Sequence, residues 1–109
     1  MKFPKDENGS LLQEMHDAGI DLSQPLDVEF FTLFKTKKNA EAMIAEVIAS
    51  DASIKTILEQ NEIHDDWDLC CIINMIPAHH QITLREAFFE KLAEKHHGDG
   101  DGWGVTQEE

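Results

Sequence analysis

The chain has 109 residues, 41% of them hydrophobic, and sets nine Lys and Arg against 22 Asp and Glu for a net charge of −13. That length suits one domain with one core, and the apolar share excludes a disordered polymer. The charge repels a polyanionic backbone over most of the surface, which excludes direct nucleic-acid binding and favours a basic protein partner. No apolar run approaches the roughly 18 residues of a membrane span. The opening MKFPKDENGS has no apolar stretch to act as a signal peptide. The expectation is a cytoplasmic protein without membrane contact, a single domain over residues 1–109 with residues 1–9 as a flexible lead.

In chain order, SLLQEMHDAG (Ser10 to Gly19) predicts a short helix with Leu11, Leu12 and Met15 on one face, Ser10 as N-cap and Gly19 as stop. LSQP breaks the chain. LDVEFFTLF (Leu26 to Phe34) then alternates as a strand, with Val28, Phe30 and Phe34 on one face and Phe31 and Leu33 beside Glu29 on the other. Thr36 caps a helix whose Ala40, Met43, Ile44, Val47 and Ile48 recur at core-facing spacing. Ser53 to Glu59 reads as a strand if NEIHDD is a turn. Trp67 to Ile76 is apolar on both faces and stops at Pro77, as a central strand does.

After Pro77 a helix runs to about His96 on a stripe of Ile82, Phe89, Leu92 and Ala93, with Phe88 at its margin; Thr83 and Glu86 also match a capping box. Gly98 ends it, and GWGVTQ supplies a last strand. The order β-α-β-β-α-β after the first helix predicts an α+β, ferredoxin-like sandwich, an antiparallel sheet with two helices on one face.

GDGDGWG (Gly98 to Gly104) is the stretch most suggestive of chemistry. An EF-hand loop begun at Asp99 places Trp103 where a ligand oxygen belongs and its closing carboxylate beyond Glu109. A phosphate loop opens a helix, whereas this stretch follows one, and its spacing is wrong. A turn followed by a buried Trp103 is what survives. His79 with His80 and His96 with His97 sit at opposite ends of the third helix, about 25 Å apart at 1.5 Å per residue, too far for one metal site, and read as exposed helix-end residues. Cys70 and Cys71, adjacent on a strand, point to opposite faces and are read as reduced core thiols. The serines have no nucleophile motif around them and no tyrosine is present. No enzyme, cofactor or metal is expected.

Taken together, LDVEFF, the capped TKKNAEAMIAEVI, a strand ending in MIP, a helix ending LAEKHHG and the final DGWG form a series. This series resembles the family of the regulator of ribonuclease E activity B, whose domain ends in a Tyr-Asp-Gly-Trp-Gly signature. Here Gly100 stands at the signature's tyrosine and His97 at the first glycine of the preceding pair. The resemblance implies a signature loop of Asp101, Gly102, Trp103 and Gly104. It also implies a protein that binds ribonuclease E outside its catalytic centre and restrains RNA processing.

On the sheet face away from the two helices, Phe31, Leu33, Cys70 and Ile72 are exposed unless the first helix covers them. The alternatives are a covered face, a homodimer interface, or a partner surface for ribonuclease E or a basic segment of another RNA-processing protein. The other class of function is a small-molecule or metal-binding ferredoxin-like domain. A concave pocket with convergent polar groups favours that class, and a flat acidic face favours the protein partner.

Overall fold

In the computed structural model, which describes residues 4–63 and 65–105, seven elements follow in the order α1 (Glu7–Asp17), β1 (Leu26–Phe34), α2 (Lys37–Ser50), β2 (Lys55–Asn61), β3 (Asp66–Met75), α3 (His79–Lys95) and β4 (Asp99–Val105). The strands form one sheet in the order β2-β3-β1-β4, with every neighbouring pair antiparallel. Neither β1 and β2 nor β3 and β4 are neighbours, so α2 and α3 each carry the chain past one intervening strand. The expected ferredoxin-like sandwich is the fold observed, with the apolar β1 and β3 at its centre.

One face of the sheet holds the core. Val28, Phe30 and Phe34 of β1 and Leu69, Cys71 and Ile73 of β3 meet Ala40, Met43 and Val47 of α2 and Ile82, Phe89 and Ala93 of α3. The Phe30 and Phe89 rings lie 5.0 Å apart in a tilted pair. On α2 the core takes Ala40, Met43 and Val47, so Ile44 sits partly buried at the margin and Ile48 remains 46% exposed. Thr36 caps α2 as expected, its hydroxyl accepting from the Asn39 amide at 3.3 Å.

Several boundaries differ from the sequence reading. The first helix starts at Glu7, because Asp6 caps it: the Asp6 carboxylate accepts the Gly9 N–H at 2.7 Å, which leaves Ser10 inside the first turn. Asn8 and Gly9, expected in a flexible lead, are buried in α1, while residues 1–3 lie outside the described residues. Gly19, at φ +91°, ends α1 in a Schellman motif, with Gly19 N–H on the His16 carbonyl and Ile20 N–H on that of Met15. The second strand starts at Lys55 because the Asp51 carboxylate holds the Ser53 amide and hydroxyl in a turn.

At the end of α3 the left-handed residue is His97, φ 62°, and Gly98 donates to the Ala93 carbonyl at 2.7 Å. Gly98 is needed for space instead: a Cβ there would stand 2.7 Å from Cδ1 and 2.8 Å from Cζ of the buried Phe34 ring. The last strand starts at Asp99 rather than Gly102, so DGD, read as a turn, belongs to β4, which bulges against β1 between Phe30 and Thr32; Thr106 and Gln107, expected in this strand, lie outside the described residues. Gly102, at φ +88°, supplies the backbone conformation the bulge requires.

Candidate protein-binding face

The helix α1 does not cover the open face. It packs on α3, where the Asn8 amide donates to Thr83 Oγ1 at 3.2 Å and Glu86 Oε1 at 3.1 Å. These two residues, which matched a capping box in sequence, therefore serve as acceptors within α3 while its N-cap, Ala78, has no side-chain bond. Asn8 also ties α1 to the sheet, its Oδ1 accepting from Trp103 Nε1 at 2.8 Å.

Strand alternation then decides what the open face presents. Ile57 of β2, Cys70 of β3 and Phe31 of β1 lie directly opposite one another, with the bulge of β4 beyond Phe31. One row along, the register aligns Glu59, Asp68, Leu33 and Asp99; on the other side it aligns Lys55, Ile72, Glu29 and Gly104. The face is therefore an apolar row crossing the sheet, flanked by a row rich in carboxylates. It is concave rather than flat, enclosing about 500 Å³ lined by Phe31, Leu33, Ile57 and Cys70 together with Glu29, Glu59, Asn61, Asp68 and Asp101.

Of the residues expected on this surface, Phe31, Leu33 and Cys70 line the concavity, and Ile72 shares the face one row outside it. The signature residues divide between the two faces. Trp103 points into the core at 6% exposure, whereas Asp101 lines the concavity and Gly104 lies against Phe31, whose Cε2 would be 3.9 Å from a Cβ at that position. Bulging at Gly102 is what puts Asp101 and Trp103 on opposite sides. Ile57, Glu59, Asn61 and Asp68 were not expected here; the alternation of KTILEQN was the available signal.

The charged residues lining the concavity are all acidic, and the cation that shares the face by register, Lys55, lies one row outside it beside Ile72. Glu59 and Asp68 oppose each other across β2 and β3, and no Lys or Arg among the described residues forms an ion pair with Glu59, Asp68 or Asp101. Lys35 pairs instead with Asp66 at 3.3 Å, at the end of β3. Burial, reinforced by Glu29 and Glu59, pushes the Cys70 thiol up to about 11, and burial pushes Cys71 to about 12, so both are protonated near neutrality and poor nucleophiles. The histidine pairs join neither this face nor each other. His79 Nε2 meets the Asp6 carboxylate at 2.9 Å and His96 Nε2 meets Glu46, so these two are partly buried helix-end clamps, at 26% and 18% exposure, rather than exposed residues.

A family model described as Regulator of ribonuclease activity B (RraB) matches residues 5–105, from the turn before α1 to the last residue of β4. The chain belongs to the RraB family. No curated protein gives a significant match. The RraB match spans every element described above, so the open face and the DGWG strand both lie within the family's domain. RraB proteins are named as regulators of ribonuclease activity, which fits a non-enzymatic role acting on a protein partner. No helix among the described residues is long and apolar enough to cross a membrane.

Proposed function

We propose that this protein restrains an RNA-processing ribonuclease, ribonuclease E in the first instance, by binding one of its basic, RNA-contacting segments and competing with RNA for it. The observation that carries this reading is the uncovered sheet face, its apolar floor bordered by Glu59, Asp68 and Asp101, which pair with no Lys or Arg among the described residues, in a chain of net charge −13. A basic segment is drawn to such a field and its encounter accelerated, while RNA is repelled from the same surface. No nucleophile, cofactor or metal is part of this mechanism. It acts in the cytoplasm, where the ribonuclease and its RNA are.

The test is a pull-down of ribonuclease E and its isolated basic segment at about 50 mM and 300 mM salt, with RNA cleavage assayed in parallel; exposed charges are screened beyond roughly 6 Å at the higher salt. Recovery at low salt, loss at high salt and inhibition relieved by excess RNA support the reading. Failure to retain the segment at either salt contradicts it. A small cationic ligand is the second reading, favoured by the concavity itself, whose volume lies within the range of small-molecule sites. Saturable micromolar binding of spermidine or arginine amide, with no ribonuclease recovered, selects it.

A further inference from the structure

Resting on that reading, we infer that the open face recognises a short extended segment in which an apolar side chain is flanked by arginine or lysine. The segment lies across the strands, its apolar residue on the row formed by Ile57, Cys70 and Phe31 and its cation between Glu59 and Asp68.

Three observations converge on this occupant. The first is shape and polarity: the apolar row runs unbroken over β2, β3 and β1 as far as the bulge of β4, and Ile57 at its β2 end is 46% exposed in the free protein. Three strands about 4.8 Å apart span about 10 Å, the length of roughly three extended residues at ~3.3 Å each. The second is charge. Carboxylates directly opposite one another on neighbouring strands repel, so the Glu59 and Asp68 pairing is unfavourable in the free protein, and Asp99 continues the same row beyond Leu33. A cation seated between them turns that repulsion into two charge-assisted contacts, and a guanidinium suits such a bridge because it presents several donors in a plane.

The third observation disfavours the simplest competitor. In a second copy of this chain stacked row on row, Glu59, Asp68 and Asp101 meet the same acidic set, and a copy turned about the apolar row offers them the single cation Lys55 of the flanking row. A basic segment neutralises them. Cys70, held protonated, contributes a small apolar surface at the middle of the row, leaving room that a larger residue would fill.

The test uses the full chain and a fluorescein-labelled six-residue peptide of alternating arginine and leucine, compared by anisotropy with the arginine–serine peptide of equal charge. The protein variant is Glu59→Gln with Asp68→Asn. The control is Glu41→Gln with Glu94→Gln, which removes the same charge from exposed positions on α2 and α3. The site variant is expected to weaken the arginine–leucine peptide roughly tenfold or more, the control by no more than about twofold. The site variant also melts at or above the wild-type temperature, because it removes a repulsion. That combination separates lost recognition from lost folding.

Equal weakening by site and control variants, or equal affinity for the leucine and serine peptides, overturns the inference. So does a wild-type dimer in sedimentation that dissociates in Ile57→Ser, since the face would then belong to a second copy. Retention of the ribonuclease segment by the site variant overturns this face as the contact while leaving ribonuclease regulation standing. If instead wild type ignores the ribonuclease segment, the regulatory reading fails, and the peptide comparison still decides the chemistry of the face.

Discussion

Replacing Trp103 separates the two roles that its DGWG signature invites, a core anchor and a partner contact. The ring is 6% exposed on the helix side of the sheet, and its N–H is donated to Asn8, which is itself 8% exposed and bonded on to Thr83 and Glu86. Trp103→Ala removes a buried aromatic from a core that cannot fully close over it and is expected to cost about 3–5 kcal/mol. Trp103→Phe keeps most of the apolar ring but orphans the Asn8 carbonyl, at about 1–3 kcal/mol. Urea unfolding followed by circular dichroism at fixed protein concentration reads both. Because α1 reaches the sheet through this bond, Trp103→Phe and Asn8→Ala should be strongly non-additive, coupled by roughly 0.5–3 kcal/mol. Peptide binding by folded Trp103→Phe should be unchanged, since the open face lies on the other side of the sheet. A Trp103→Ala loss below about 1 kcal/mol, or a Trp103→Phe variant that folds normally and binds poorly, refutes the assignment of Trp103 to the core.

Gly98→Ala should destabilise by about 1–3 kcal/mol in a thermal melt, because the added methyl meets the buried Phe34 ring; an unchanged or raised melting temperature contradicts that close approach. Bonding to Lys95 and then His96 holds the Glu46 carboxyl below its ordinary 4.5, so its contribution is complete above that value and is lost as the pH falls through the lower folded one. Glu46→Gln should accordingly flatten the acid limb of the stability curve below about pH 4.5, a change visible in urea midpoints between pH 7 and 3. With thiols at about 11 and about 12, Cys70 and Cys71 should react with iodoacetamide far more slowly at pH 8 than a free cysteine does, and rapid labelling of Cys70 would contradict its setting.

What could be read from the sequence was whatever a single segment carries by itself. Val28, Phe30 and Phe34 alternating against Glu29 define β1, and Thr36 before an apolar stripe defines α2, because period and cap are local signals. Two features needed partners from elsewhere. DENGS offers two caps, and Asp6 prevails over Ser10 in a helix whose Asn8 is fixed by Trp103, 95 residues away. Glycine and aspartate disfavour strands, so GDGD reads as a turn before the last strand until β1 pairs with it across a bulge. Phe31 and Leu33 were legible as an apolar second face. Their meeting with Ile57, Glu59 and Asp68 follows only from the register of three strands, and the same register puts Ile72 one row away.

The most direct measurement is a ¹⁵N–¹H NMR titration of the full chain with the basic segment of ribonuclease E at low salt. Shifts are expected at Phe31, Leu33, Ile57, Glu59, Asp68, Cys70 and Asp101, fading as salt rises, with the amides of α2 unmoved. Binding that shifts the outer surfaces of α2 and α3 and leaves these seven residues in place would contradict the open sheet face as the site of regulation.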